Sequence, residues 1–318
     1  AFTGGGKIFC SALVDWLFGG GASNTNDSAP REIVMGDLGS GKTTAYLFRR
    51  KDDGAIECKE LTDGGVADLP SLSSCSFEEW TAAFTRAAGE YFGHYPVHIG
   101  ATQWYREMPE DKQVELGLQL WAWGERSFPH GFRLLEVTGM KEATCEATAC
   151  RFACAEVLNR VPGIILSAGT GSMQCTSGGI SESICLDTKA WSKRSCQELP
   201  VYREAAKEAL APFRPLLQQQ TELALFLGAS WYALVSAGMA EQKSAPFQMP
   251  RAEAIRQLES CATNPSTSMR DAVNIWRIIE SLQMLSAVET VAFARNWKVN
   301  GADFRTTWSA GYFLDGCA

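Results

Sequence analysis

The chain has 318 residues, 46% hydrophobic and 20% charged, a balance that argues against disorder and allows one large domain or two lobes of ordinary size. Its net charge is −7 and it carries no long basic run, which argues against a dedicated nucleic-acid surface. Eleven cysteines stand beside three histidines, and no Cys-x-x-Cys pair occurs. That pattern speaks for buried cysteines acting as small hydrophobes and a few disulfides of unassigned pairing, rather than zinc. It favours a secretory-pathway or organellar lumen over the cytosol.

The chain begins at Ala1, as expected if a targeting segment was removed or left out. Residues 1–30 read as an arm and linker. In "KIFCSALVDWLFGG", Ile8, Leu13, Trp16 and Leu17 have the spacing of a short amphipathic helix. Residues 7–19 could therefore dock on the chain's own domain, a protein partner or a membrane surface, with protein favoured because only one lysine accompanies the apolar residues. "GGGASNTNDSAP" then reads as a flexible linker and contains the glycosylation pattern Asn26-Asp27-Ser28.

From Glu32 the pattern predicts strand, turn, strand, turn, strand through residue 61. Ser76 followed by Glu79 predicts a capping-box helix. "YPVHIGATQ" reads as a strand, "PEDKQVELGLQLWAWGERSF" as a helix, "FRLLEVTG" as a strand and residues 141–160 as a helix. "GIILSAGTGS" reads as a buried strand running into a second glycine turn. Long helical stretches follow around 201–220 and 269–296, and residues 303–317 run from loop to helix. The most apolar run, 223–239, is too short and too interrupted for a membrane span and reads as a core element. The chain reads as soluble, mixed α/β, with no visible internal repeat.

The stretch "VMGDLGSGKTT" meets two phosphate-loop patterns. From Gly36 it is the Walker A pattern, which must run from a strand into a helix. The residues after Thr43 are strand formers that meet a turn at Asp52-Asp53-Gly54, so Walker A is disfavoured. From Asp37 it is Asp-x-Gly-Ser, the first phosphate loop of actin-like proteins, in which a tight hairpin turn wraps a phosphate with backbone amides. Gly169-Thr170-Gly171-Ser172 supplies a second such turn after another apolar strand.

These residues resemble the apyrases, the nucleoside di- and triphosphate diphosphohydrolases. Asp37-Leu38-Gly39-Ser40-Gly41-Lys42-Thr43 resembles the family's first motif, and Ala101-Thr102-Gln103-Trp104-Tyr105-Arg106 its second. Thr138-Gly139-Met140-Lys141-Glu142-Ala143 occupies the place of the third. Ser167-Ala168-Gly169-Thr170-Gly171-Ser172-Met173-Gln174 resembles the fourth, and Trp308-Ser309-Ala310-Gly311 a C-terminal pattern. All five come in the family's order.

The resemblance implies an α/β fold of two actin-like, ribonuclease H-like lobes with a phosphate-binding cleft between them. Lobe I would comprise 31–160 with 300–318, and lobe II 161–299. It also implies hydrolysis of a nucleoside di- or triphosphate with Mg or Ca as cofactor. Glu142 would act on the attacking water, or serve only as a glutamate favoured at a helix start. Gln174 would help position that water. Gly39, Ser40, Gly41, Thr43, Gly169, Gly171 and Ser172 would hold phosphates. Lys42 would neutralise phosphate charge or be merely solvated, and Arg106 would support the cleft or form a structural ion pair. Asp37 would hold the metal through water.

The departures are specific. Ser167 stands where the family has an aspartate, Gln103-Trp104 replaces a small pair that keeps the cleft open, and Ala143 and Ala147 replace a glycine and an aromatic residue. Two expectations therefore stand side by side: an apyrase-like hydrolase, its activity retained or weakened, or a catalytically inactive relative serving as a nucleotide-binding or structural subunit of a larger assembly.

Overall fold

The computed structural model describes residues 30–39, 42–61, 69–169, 171–186, 188–241, 245–295 and 297–316. The expected arm with residues 7–19 and Asn26 lies outside the described residues, as do Ser40 and Gly41. Contacts divide the chain into two units, 1–138 with 316–318 and 139–315.

The first unit opens with three strands, β1 (Glu32–Leu38), β2 (Lys42–Arg50) and β3 (Ile56–Glu60). They form an antiparallel meander, with the short β4 (Leu69–Pro70) pairing β2. The chain continues through α1 (Phe77–Phe92), β5 (Val97–Ala101), α2 (Glu110–Ser127) and β6 (Phe132–Glu136). Strands β5 and β6 add parallel to β1, giving the order β3-β2-β1-β5-β6. Central strands covered on both faces read as continuous apolar runs, and all five residues of β5 are buried.

The capping box expected from Ser76 and Glu79 forms in both directions, Glu79 N donating to Ser76 Oγ and Ser76 N to Glu79 Oε2. It starts α1 so that Trp80, Phe84 and Ala88 face the sheet. Gly36 in β1 makes room for that packing, because a β-carbon there would come within 3.1–3.3 Å of Ile99 and Phe84. Trp80, Phe84, Phe92, Trp123 and Phe128 then form one aromatic cluster of mostly edge-on rings around Trp123.

The second unit begins with α3 (Gly139–Leu158), β7 (Ile164–Ala168), β8 (Ser172–Ser177), β9 (Ile180–Cys185) and α4 (Leu199–Leu210). β10 (Leu223–Gly228), α5 (Ala229–Ser236), β11 (Phe247–Pro250), α6 (Arg251–Ala262), α7 (Met269–Met284) and β12 (Thr290–Phe293) follow. The hairpin β13 (Trp297–Val299) and β14 (Ala302–Phe304) leads into α8 (Trp308–Leu314). Its main sheet has the order β11-β12-β10-β7-β8-β9. Read from β9, this repeats the first sheet: an antiparallel meander of three strands, then two strands parallel to the first. The extra strand β11 pairs antiparallel with β12. The internal repeat absent from the sequence is present in topology.

Two sequence expectations need correction, and a third, the core run 223–239, gains detail. The helix expected over 269–296 ends at Met284, and the run Thr290–Phe293 is a buried parallel strand beside β10. The helix expected over 201–220 gives way after Leu210 to short turns, where Pro212 and Pro215 remove backbone donors. The apolar run 223–239 is a strand followed by a helix, divided at Gly228, whose φ is +65°.

The contacts also divide the chain differently from the expected boundaries. Residues 139–160 and 300–315 fall in the second unit, because α3 packs on α8, β8 and β9. The buried face of α3 is built of small residues, Ala143, Cys145, Ala147, Ala149, Cys150, Ala153 and Cys154, which lets these neighbours approach closely. The nine cysteines among the described residues are all free thiols, so the expected disulfides do not form there. Burial pushes the Cys145 thiol up to about 11 and Cys154 and Cys175 to about 12, as suits inert core groups. No helix among the described residues is long and apolar enough to cross a membrane.

Candidate functional site

The strand β1 runs through a tight turn into antiparallel β2, not into a helix, so "VMGDLGSGKTT" is a hairpin turn and not a Walker A loop. Asp37 lies at the end of β1, partly exposed, in register with Thr44 of β2 and Gly100 of β5. Gly39 must be glycine for local reasons, since a β-carbon there would stand 2.8 Å from the Lys42 carbonyl oxygen.

The carbonyls of this turn are engaged by protein donors. Asp37 O accepts from Gly39 N at 3.1 Å. Leu38 O accepts from Trp104 Nε1 at 2.5 Å, Thr102 Oγ1 at 3.3 Å and Thr102 N at 3.5 Å. Gly39 O accepts from Ser71 Oγ at 2.9 Å. The second motif therefore acts on the first: Thr102 and Trp104 hold the peptide that leads into the turn. The sequence reading gave Trp104 the different role of narrowing a cleft, and it gave Ser71 none.

Other residues assigned to this turn have different work. Thr43 is fully buried; its hydroxyl donates to Pro70 O at 3.0 Å and accepts from Trp80 Nε1 at 2.9 Å. That leaves it no hydrogen for a phosphate oxygen. Lys42 is half-exposed, with its ammonium 4.0 Å from Glu60 Oε1. Arg106 donates from Nη1 to the Val137 carbonyl, while Gln113 Nε2 donates to Arg106 O at 3.2 Å and to Met108 O at 2.7 Å. This ties the short helix Gln103–Arg106 to the strand end just before α3.

The glycine that follows β7 makes a similar close approach. A β-carbon on Gly169 would lie 3.3 Å from Ser172 O, three residues on, as that of Gly39 meets Lys42 O. The described carbonyls of this turn are engaged too. Ser172 O accepts from Gly169 N at 2.8 Å, and Gly171 O from Leu186 N at 2.9 Å and Cys185 Sγ at 3.7 Å. Gly169 O accepts from Nη1 of Arg277 in α7 at 2.7 Å. Gln174 and Ser172 are both buried, and Gln174 Nε2 donates to Ser172 Oγ at 2.8 Å. Ser172 accepts that bond and so keeps its own hydroxyl hydrogen for another acceptor. Ser167, standing where the resemblance has aspartate, is buried in register opposite Gln174.

Glu142 is partly exposed in the first turn of α3. The start of that helix is stapled to β8 and β9: Thr176 Oγ1 donates to Ala143 O at 3.3 Å, and Thr144 Oγ1 to Ser181 Oγ at 3.1 Å. Thr176 is two residues beyond Gln174, so Glu142, Gln174, Ser172, Gly169 and Gly171 belong to one packed unit. Asp37, Gly39, Lys42, Thr43 and Arg106 belong to the other. Arg277 had no signal in the sequence reading, because an arginine in an amphipathic helix reads as a solvated cation.

No protein-family model matches the chain, and no curated protein sequence matches it. Solved structures do. An exopolyphosphatase from Cytophaga hutchinsonii is 13% identical with a TM-score of 0.55, the match covering 90% of this chain and 98% of that one. The type II variant of the Aquifex aeolicus Ppx/GppA phosphatase is 12% identical with a TM-score of 0.53, covering 91% and 100%. An exopolyphosphatase-like protein is 12% identical with a TM-score of 0.54, covering 89% and 97%. At such identities the likeness carries the fold alone and not the apyrase family: the chain has a mixed α/β fold of two lobes, each with its own sheet, like that of these phosphatases.

Proposed function

We propose that this chain hydrolyses terminal phosphoanhydride bonds, in nucleoside di- or triphosphates or in linear polyphosphate, with a divalent metal as cofactor. The observation that carries the reading is the shared state of the two glycine turns. In both, the described carbonyls are bonded to protein donors, at Asp37, Leu38 and Gly39 in one and at Gly169, Gly171 and Ser172 in the other. A turn with its acceptors occupied presents little negative charge to a phosphate oxygen. Although Gly39 N and Gly169 N are themselves spent on two of these bonds, the remaining amides can face an anion. The fold shared with exopolyphosphatase structures supports linear polyphosphate as a substrate class, and the five motifs support nucleotides.

Asp37, a partly exposed carboxylate at the end of β1 beside the first glycine turn, would suit a hydrated metal ion. Among the described residues, no group of three or more His, Cys, Asp or Glu side chains gathers that would cage a cation. Magnesium commonly keeps its waters and takes one or two carboxylates plus substrate phosphates, and Asp37 is the carboxylate of the first turn. When bound, such an ion neutralises phosphate oxygens. Glu142 would orient the attacking water and take its proton. Ser172, fixed by Gln174, would donate its hydroxyl hydrogen to a phosphate oxygen. The amides of Gly39 and Gly169, expected to hold phosphate, already donate to Asp37 O and Ser172 O, so Gly41 with Ser40 would hold phosphate at the first turn and the amide of Gly171 at the second.

One observation favours a second reading, an inactive relative that binds phosphate chains without cleaving them. Ser167 supplies only a hydroxyl where the resembled family has a carboxylate, a kind of loss that costs roughly 10–100-fold in metal affinity or activity. Phosphate release from nucleoside di- and triphosphates and from polyphosphate, with Mg or Ca, separates the two. Release that falls about 10²–10⁴-fold in Glu142→Gln supports the hydrolase and the role of Glu142. Binding of these substrates with no release by the wild type supports the inactive relative. Neither binding nor release overturns both.

A further inference from the structure

Arg277 lies in the middle of α7 and has no exposed surface. A buried guanidinium is costly unless carboxylates surround it, and among the described residues none pairs with it. The buried carboxylate one turn along, Glu280, is 3.8 Å from Arg203 instead. Arg277 spends its hydrogen bonds otherwise. Nη2 donates to Asn274 Oδ1 on its own helix at 2.8 Å, and Nη1 crosses to Gly169 O at 2.7 Å. Nε is buried without an acceptor. Desolvation lowers the guanidinium to about 10, which still leaves it charged at neutral pH.

The bond to Gly169 is unlike the others that shape this turn. Gly171 and Ser172 have their carbonyls held by backbone donors nearby in the same sheet, which the hairpin would supply with any side chains. Gly169 O depends on one side chain 108 residues away. Lysine could not make the same arrangement, because a single ammonium cannot be anchored on Asn274 in the fixed fork that reaches Gly169. A hydrophobic residue would pack α7 against the core at lower cost. What the arginine adds is a fixed orientation of the Gly169 carbonyl and a positive charge, scarcely screened by water, beside a turn built for anions.

We propose that Arg277 is the positioning residue of the second phosphate turn, holding the Gly169 carbonyl inward and making the turn electropositive toward a phosphate chain. This rests on the reading of Gly169 to Ser172 as a phosphate site. The ligand class is inorganic or nucleoside polyphosphate, recognised through its oxygens. Arg277 touches no substrate and acts through Gly169.

The test is calorimetric binding of tripolyphosphate with Mg to the wild type, Arg277→Met and Arg277→Lys, each with a thermal melt. Arg277→Met is expected to melt near the wild type and to bind about tenfold more weakly, the loss of one charged hydrogen bond; Arg277→Lys is expected to recover part of that loss. Wild-type affinity in a folded Arg277→Met overturns the proposal while leaving the phosphate reading intact. If Arg277→Met does not fold, Arg277→Lys decides: weakened binding at an unchanged melt supports the role, and unchanged binding overturns it. Failure of both variants to fold makes Arg277 a packing residue and also overturns it. No binding by the wild type overturns the phosphate reading itself, and this inference with it.

Discussion

Gly311 of α8 lies so close to Cys145 of α3 that a β-carbon on it would stand 1.7 Å from the Cys145 carbonyl oxygen. The obstacle is backbone, so no rotamer change relieves it. The C-terminal Trp-x-x-Gly pattern thus has a physical reason: Trp308 is buried as the helix anchor, and Gly311 lets two helix backbones touch. Gly311→Ala is expected to cost about 3 kcal/mol, the upper end for overpacking, measured by urea unfolding. Because α3 carries Glu142, phosphate release should fall as well. A variant as stable as wild type would mean the helices part without penalty.

The contact also shows what was legible in the sequence. Signals that act over three or four residues were readable: the Ser76 and Glu79 capping box, the glycine turn after Asp37, the alternation of strand and turn to residue 61. So was the rejection of Walker A, which needed only the strand formers after Thr43. Signals that act across the chain were not. Arg277 reads as one more helix cation until its distance to Gly169 is known, and Ser71 as a loop serine until its bond to Gly39 O appears. The strand Thr290–Phe293 was read as helix because a short buried parallel strand lacks alternation. The repeated sheet order is carried by backbone pairing and leaves no shared side-chain pattern to find.

Trp104 takes its place from the Leu38 carbonyl, and its effect on phosphate binding should have a sign. If the indole N–H shapes the first turn, Trp104→Phe loses one bond worth about 1 kcal/mol and binds tripolyphosphate more weakly. If the ring were instead an obstruction, the smaller phenylalanine would bind as well or better. Calorimetry with Mg on wild type and variant distinguishes the two, and weaker binding is expected.

Thr43 separates a structural hydroxyl from a phosphate ligand. Thr43→Val keeps the shape but leaves Trp80 Nε1 and Pro70 O without their partner, at a cost of about 1–3 kcal/mol for buried unsatisfied groups. Thr43→Ser should restore most of that stability. Tripolyphosphate affinity, measured well below the melting temperature, is expected to be equal in all three. A selective loss of affinity in a stable Thr43→Val would return the hydroxyl to the phosphate site.

His98 in β5 gives the fold an acid-sensitive point. Burial, with the Arg133 charge adding to it, lowers its imidazole from 6.5 to about 3, so it is neutral in the folded chain. The unfolded chain binds a proton near pH 6.5 that the folded chain refuses until about pH 3. Between those values the unfolded state holds more protons, and stability falls as pH falls, by about 1.4 kcal/mol per unit. From neutral pH to pH 5 this one group removes roughly 2 kcal/mol. His98→Gln is expected to be less stable at neutral pH, from the altered core contact, yet to show a flatter decline over that range. Urea unfolding at several pH values reads the difference in slope. Parallel curves for wild type and variant would mean that His98 takes up its proton without unfolding.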